Sequence, residues 1–561
     1  MNQDHIDVKS KKIKRLWLNS LEKDAIITGF KNLGDWHKDY LGYKEAQTRQ
    51  ISDWLIGMNG SPLYTLLLRQ KGVRGVYSIG RVQTPTLYMV YQRDQAIKNF
   101  KPEPYFELNA EILANQQKFV AKLDPYQRFK DEAGLMTFMQ AKHVQKGSQG
   151  GLIKDVQKQA KKSASPQLFS LSSLQSAMNK RYHASASQTL VANLTKYLGL
   201  VSKQVALTNT TPNKRYVNGK KVEEHYAIIM TKVVPTKEKL ASLPKLQQQV
   251  YDLVLRTTLA MFADPYEYEE TTIITQVGDA NFKATGKVST KQGWQALFDD
   301  HKADQQAAAT LPLVHQGDQV QANLQTPQKE TTPPVPFTEG TLITAMKTAG
   351  KTLDDEEAQA ILKDVQGIGT SATRANVLEV LKKRGYLVTE KNKLHVSEAG
   401  ITLCKAVELE PLLTSPEMTA KWEQALQQIS TEERTPDNFL SQIKKFVAKL
   451  IADVPTQLTG NAAIKQQINH QQQAQKSDEV FLETPQATVL NKQKFYIVKP
   501  KQGEDFTLPK KWSSKALGKT AIKALVTKGE TSKLKGFKSK KGKSFDAKLK
   551  LDGHKLSFDF D

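Results

Sequence analysis

Cysteine is almost absent. The 561 residues hold one, Cys404, which excludes an internal disulfide framework and any cysteine-rich zinc site. It stands in the apolar run Ile401-Thr402-Leu403-Cys404 and reads as a small buried residue. Long hydrophobic runs are missing too. No stretch approaches the roughly 18 apolar residues of a membrane span, and the polar opening Met1-Asn2-Gln3-Asp4 is not a signal peptide. The expectation is a soluble intracellular protein with no membrane contact. Acidic residues are outnumbered, with 57 Asp and Glu against 81 Lys and Arg and a net charge of +24. That surplus points to a polyanionic partner, because clustered cations gain free energy by displacing counterions from phosphates. Generic basic solubility is the other reading. What remains is ordinary: 39% hydrophobic and 25% charged residues, enough for buried cores in roughly three to five domains.

The pattern changes period several times. Residues 13–100 read as mostly helical. In 101–165, Tyr105 to Leu113 alternates like a strand before a turn at Asn115, a helix is expected near Asp131–Ala141, and Lys158–Ser165 is polar enough for a linker. Helical spacing returns in 166–235. Residues 236–330 turn strand-rich around Thr271–Thr275 and Asn281–Val288, with Gly278 and Gly286 as turn signals. The three prolines of Thr331–Phe337 make a stiff crossing into a helical stretch, 331–455. A Gln-rich segment within 456–478 reads as a flexible linker, and 479–561 as a separate small unit. The nesting suggests one domain inserted into another.

The most specific run is Gly75-Val76-Tyr77-Ser78-Ile79-Gly80-Arg81-Val82-Gln83-Thr84-Pro85. A small-residue turn, an arginine, a glutamine and a helix start with proline suit a grip on a phosphate backbone. The helix N-terminus offers N–H groups, Arg81 a bidentate fork, and Ser78 and Gln83 neutral donors. A plain structured turn before a helix is the other reading.

The run resembles a segment of the type IA DNA topoisomerases, nearest the topoisomerase III branch. Other segments resemble that family in the same order. Before it stand Arg15-Leu16-Trp17 and Asp53-Trp54-Leu55-Ile56-Gly57. After it come Leu174-Gln175-Ser176-Ala177-Met178-Asn179, His225-Tyr226-Ala227-Ile228-Ile229, Tyr268-Glu269-Glu270-Thr271-Thr272 and Ala284-Thr285-Gly286. Gly367-Ile368-Gly369-Thr370-Ser371-Ala372-Thr373-Arg374 and Ser415-Pro416-Glu417 complete the series over about residues 13–453. Met230 stands where the family usually has proline. In the tail, Phe506-Thr507-Leu508-Pro509 and Lys535-Gly536-Phe537-Lys538-Ser539-Lys540-Lys541-Gly542-Lys543 resemble the topoisomerase C-terminal repeat. Residues 531–550 hold eight lysines against one aspartate, a cationic face with Phe537 and Phe545 expected to be available for stacking.

The resemblance implies a multidomain α+β fold: a toroidal core of helical domains plus a β-rich arch, with a small C-terminal repeat domain containing β-strands. It implies binding of single-stranded DNA, and transient single-strand cleavage with strand passage as the family reaction. The DNA-binding residues it implies are Ser78, Arg81, Gln83, Gln175, His225, Thr370 and Arg374, with Lys535, Lys538, Lys540 and Lys541 in the tail. His225 could equally be a histidine satisfied within the fold.

Two family features are expected to be missing. The family's nucleophile is a tyrosine in a Tyr-x-Arg-Thr-Asp-Ser-like run, and no Arg-Thr-Asp-Ser occurs here. Tyr182, Tyr197 and Tyr216 lack that context, and Tyr197 reads as core. The magnesium-binding Toprim domain would lie ahead of Arg15, where only a dozen or so residues stand. No metal ligands are therefore assigned. Asp354-Asp355-Glu356-Glu357 reads as an acidic first helical turn. The chain alone is expected to be inactive, and a non-enzymatic single-stranded DNA-binding remnant is the alternative. A separate Toprim-containing polypeptide or a helicase is the partner expected, in a cytoplasmic, nucleoid-associated setting.

Overall fold

The computed structural model describes residues 12–16, 18, 23–169, 174, 197–201, 205–208, 215–216, 228–230, 234–304, 311–349, 367–370, 373–491, 495–539 and 543–560. They divide into two compact units. The first comprises Met1–Gln50, Arg81–Val396 and Thr414–Phe439; the second comprises Ile51–Gly80, Ser397–Leu413 and Leu440–Asp561.

At the heart of the first unit six strands close a barrel: β1 Asn109–Ala114, β2 Gln117–Asp124, β3 Gly147–Ser163, β4 Tyr266–Val277, β5 Ala280–Lys291 and β6 Gln319–Gln325. Their order around the barrel is β1-β2-β5-β4-β3-β6, with every pair antiparallel. Period-two alternation dictates the closure. On β2, Phe119, Ala121 and Leu123 point inward while Lys118, Val120 and Lys122 face out. Inside, they meet Ile112, Ile153, Ile273, Phe282 and Ala322 in a filled core. The turn at Asn115 puts both Asn115 and Gln116 at positive φ, 47° and 62°, the pairing a tight right-twisted hairpin favours. The helix Glu132–Ala141 starts where Asp131 accepts the Gly134 N–H at 2.7 Å, a side-chain cap on an orphan donor.

Residues 158–163, expected as linker, are the C-terminal end of β3. Their polarity misleads because the partner strand answers it. Lys158, Lys161 and Lys162 pair with Glu269, Glu270 and Glu267 of β4, and Lys287 of β5 also reaches Glu270 at 3.4 Å. Opposite charges across neighbouring strands support pairing without apolar alternation.

Between β3 and β4 the chain leaves the barrel. There the helix Lys245–Ala260 buries Leu253, Val254, Leu255 and Leu259 against Tyr197, Val201, Met230 and Leu297. Tyr197 is 2% exposed, a core residue as expected. After β6 an extended stretch leads to the helices Glu339–Lys347, Arg374–Lys383 and Pro416–Ser430. The helix Gln83–Lys98 is tied to this part through Asp94, which accepts the Val396 N–H at 2.8 Å and faces His395 Nδ1 at 3.1 Å.

In the second unit the helical stretch from Ile51 carries an extended segment along its flank. Thr65 Oγ1 accepts the Tyr77 N–H at 2.9 Å and Ser61 Oγ accepts the Ile79 N–H at 3.0 Å. The helices Glu398–Val407 and Ala462–Glu479 pack nearby. The second of these replaces the flexible Gln-rich linker expected from composition. Gln467 and Gln471, four apart, share a face, and with Gln472 beside them they dock the helix: Gln471 Nε2 donates to the Tyr77 hydroxyl at 2.7 Å, Gln467 Nε2 to Glu398 at 2.9 Å and Gln472 Nε2 to the Lys71 carbonyl at 2.7 Å. Ile464 and Ile468 fill in between. Cys404 is buried in Glu398–Val407, and burial pushes its thiol pKa up.

The tail is folded. A four-stranded antiparallel sheet, Val480–Glu483 to Phe506–Pro509, precedes the helix Lys519–Lys528 and a three-stranded sheet, Leu534–Lys538, Ser544–Asp552 and Lys555–Asp559. Val489, Val498, Ile522, Leu525, Phe537 and Leu549 form one core. Among the described residues no helix is long and apolar enough to cross a membrane. The acidic stretch 354–357 lies outside the described residues.

Candidate nucleic-acid interface

In the first unit, four of the residues singled out by sequence meet around the start of the helix Gln83–Lys98. Its N-cap, Val82, has no side-chain acceptor to offer, so the surroundings carry the polar contacts. Arg81 is nearly buried, and its guanidinium pairs with Glu423 of the helix Pro416–Ser430. The other oxygen of Glu423 accepts from Arg49 Nη2 at 2.8 Å, and Arg49 also reaches Glu45 at 2.9 Å. One carboxylate thus sits between two arginines. Burial alone would raise the pKa of Glu423, but the charges of Arg81 and Arg49 outweigh it and hold the carboxyl below its usual range.

Gln83 Oε1 accepts from Arg384 Nη1 at 2.9 Å, placing an exposed guanidinium beside the helix start. The glycine turn Gly367–Thr370 closes on the same place. Gly369 is at φ +68°, and a Cβ there would meet Val82 Cγ1 at 3.1 Å. Arg374 is fully buried and donates from Nε to the Ile368 carbonyl at 3.0 Å and from Nη2 to the Gly369 carbonyl at 2.6 Å. It holds the turn from beneath, while Thr370 is exposed at its tip with its N–H on Thr373 Oγ1 at 3.0 Å. Four arginines against Glu423 and Glu45 leave the site cationic, and its exposed components are Arg384 and Thr370, with Gln83 and Arg49 half-buried.

Ser78 is in the second unit and buried. Gln175, His225, Lys540 and Lys541 lie outside the described residues. Lys535 and Lys538 are exposed on the strand Leu534–Lys538 of the tail. The aromatic expectation there is corrected: Phe537 is fully buried, and Phe545 packs against the same core as its cross-strand partner. The alternation of a short strand turns this pair inward. The open rings are Phe560, 64% exposed, and Phe495, 41% exposed. Sequence reasoning missed Arg49, Arg384 and Glu423. Arg384 follows Lys382 and Lys383 at a helix end, where cations complement the dipole in any helix.

Among the described residues no group of three or more His, Cys, Asp or Glu is placed to hold a metal ion. Tyr216 faces the Ser165 hydroxyl at 2.5 Å.

A family model described as DNA topoisomerase matches residues 38–193 and 190–441. The chain belongs to the DNA topoisomerase family. A second model, described as the C-terminal repeat of topoisomerase, matches residues 503–561. The chain is 32% identical to DNA topoisomerase 3 of Bacillus licheniformis over 79% of its own length and 65% of that protein's, and 30% identical to DNA topoisomerase 3 of Pasteurella multocida over 79% and 76%. It thus spans just under two thirds of the first relative. Full-length topoisomerase I from Thermotoga maritima shares the fold at a TM-score of 0.56 and 18% identity, covering 90% of this chain and 81% of that one. Within the family the chain is of the type IA, topoisomerase III-like kind.

Proposed function

We propose that this topoisomerase III-like chain grips single-stranded DNA at the arginine cluster around the helix Gln83–Lys98, with the tail lysines as a second contact. The carrying observation is the placement of Arg81, Gln83, Arg384 and the Thr370 turn at one helix start. Buried ion pairs fix the site, and Arg384 stands exposed at its edge, where a phosphate can meet it. The experiment is anisotropy titration of a labelled single strand at fixed salt. Arg384→Ala should weaken binding about tenfold, in keeping with charged contacts worth about 1.4 kcal/mol or more; unchanged affinity would remove this site from the DNA path.

For the chemistry, the reading is that the chain by itself holds the strand without cutting it. The sequence contains no Arg-Thr-Asp-Ser run, Tyr197 is core, and the two matched ranges of the family model overlap at residues 190–193, just where the resemblance would put the tyrosine segment. Strand cleavage and passage, the family reaction, would then need a nucleophile not identified in this sequence, and magnesium bound by a separate Toprim-bearing polypeptide. A nucleoid-associated cytoplasmic setting, with a helicase to open the duplex, fits such a protein.

A further inference from the structure

At one end of the barrel, just before β1, the short strand Pro104–Phe106 pairs with Gln328–Glu330, setting Tyr105 opposite Lys329. Phe106 and Phe129 exchange backbone hydrogen bonds of 2.8 and 3.0 Å and turn their rings toward the barrel core. Alternation then sends Tyr105, Arg128 and Lys329 to the opposite face. There the Arg128 guanidinium lies over the Tyr105 ring, 4.5 Å from its centroid, and 6.0 Å from that of Tyr126. Arg128 Nε donates to the Tyr126 hydroxyl at 3.0 Å.

Beneath this group sits Glu107, 4% exposed. It accepts the Tyr126 hydroxyl at 2.7 Å and Lys329 Nζ at 2.6 Å. Burial would raise the Glu107 pKa, but the bonds from Lys329 and Tyr126 hold the carboxyl below its usual range. A buried carboxylate that anchors a tyrosine and a lysine leaves their outer faces in water: Tyr126 is 49% exposed and the Lys329 side chain 44%. Arg128 is exposed too, and among the described residues its hydrogen bond is made by Nε, which leaves its Nη groups to a ligand. Two cations over one buried anion leave the face positive.

We propose that Tyr105, Tyr126, Arg128 and Lys329 form a further single-strand contact on the barrel, where an unpaired base stacks on Tyr126 and its phosphate meets Arg128 and Lys329. An open ring next to fixed cations is the chemistry that binds single strands without regard to sequence, because every base presents a π-face. A duplex, whose bases are already stacked, cannot use the ring in this way. The contact rests on the DNA-binding reading above but shares no residue with the arginine cluster.

The test titrates the full chain with labelled oligothymidylate and with a matched strand whose bases are replaced by abasic sites. Tyr126→Ala should lose roughly tenfold on oligothymidylate and less on the abasic strand, while Tyr126→Phe, which keeps the ring but loses the hydroxyl bonds to Glu107 and Arg128, should keep the preference for the strand that carries bases. Arg128→Ala should weaken both strands and lower the slope of log affinity against log salt by about 0.7. Equal losses on both strands for Tyr126→Ala, or alanine variants of Tyr126 and Arg128 that bind unchanged, would overturn the proposal while leaving the arginine cluster standing. Failure of the unaltered chain to bind either strand would sink both.

Discussion

Glu423 lies between two guanidinium groups, one of them on the nearly buried Arg81. Removing its charge leaves that cation poorly compensated. Glu423→Gln should therefore cost about 3 kcal/mol of stability, in the range for breaking a buried ion pair from one side; a denaturant midpoint equal to that of the unaltered chain would show that the pair contributes nothing. The pair also fixes a pH signature. Its folded pKa lies below the unfolded one, so the unfolded chain takes up the proton first on acidification. The stabilisation is complete above the ordinary carboxylate pKa of about 4.3 and is lost as pH falls through the depressed folded value. Glu423→Gln should flatten stability against pH in that acid range and nowhere else. The same cluster marks what the sequence could disclose at this scale. Arg81, Gln83, Thr370 and Arg374 stood out as motif residues, and the fold does bring them together. Their partner Glu423 did not, because it lies 342 residues from Arg81 in a plain amphipathic helix. Nor did the motif reveal that Arg374 is buried and acts on the turn through two backbone carbonyls.

Elements were legible where local pattern decided them, as in β1, β4, β5 and the Asp131-capped helix, and illegible where polar partners did. The lysines of β3 needed the glutamates of β4, which a local window does not contain. The glutamines of Ala462–Glu479 needed Tyr77, Glu398 and Lys71 to become a docked face. The turn at Gly367–Thr370 carries a sharper test. Gly367 is at φ +89°, and a Cβ there would stand 2.2 Å from the Met346 carbonyl oxygen. Only a residue without a side chain fits both demands. Gly367→Ala should destabilise the protein by at least about 1 kcal/mol, and it should also weaken single-strand binding by moving Thr370. Amide exchange separates the two effects: faster exchange confined to the turn and the following helix is expected, and unchanged protection at the Ile368 and Arg374 amides would contradict this role for Gly367.

For the whole molecule, a net charge of +24 predicts binding that falls steeply with salt. Replacing both Lys535 and Lys538 with alanine should lower the slope by about 0.7 for each phosphate that is no longer neutralised; an unchanged slope would take the tail out of the interface. Charge alone, however, cannot separate a protein that holds a strand from one that cuts it. Cutting needs a nucleophile at the phosphate. The two tyrosines described between Leu190 and His225 are otherwise engaged, Tyr197 in a hydrophobic core and Tyr216 with Ser165. Incubated with negatively supercoiled DNA and magnesium, the chain alone should therefore leave the linking number unchanged and form no covalent 5′-phosphotyrosyl adduct, even where it binds the unpaired regions that supercoiling exposes. A band of relaxed topoisomers, or a labelled strand that stays with the protein through denaturation, would show that a tyrosine reaches the phosphate after all. Adding a Toprim-bearing polypeptide distinguishes the remaining cases. Relaxation restored only by the mixture would mean that the missing chemistry resides in the partner. Binding without relaxation in either case would leave the family's grip on the strand as the activity of this protein.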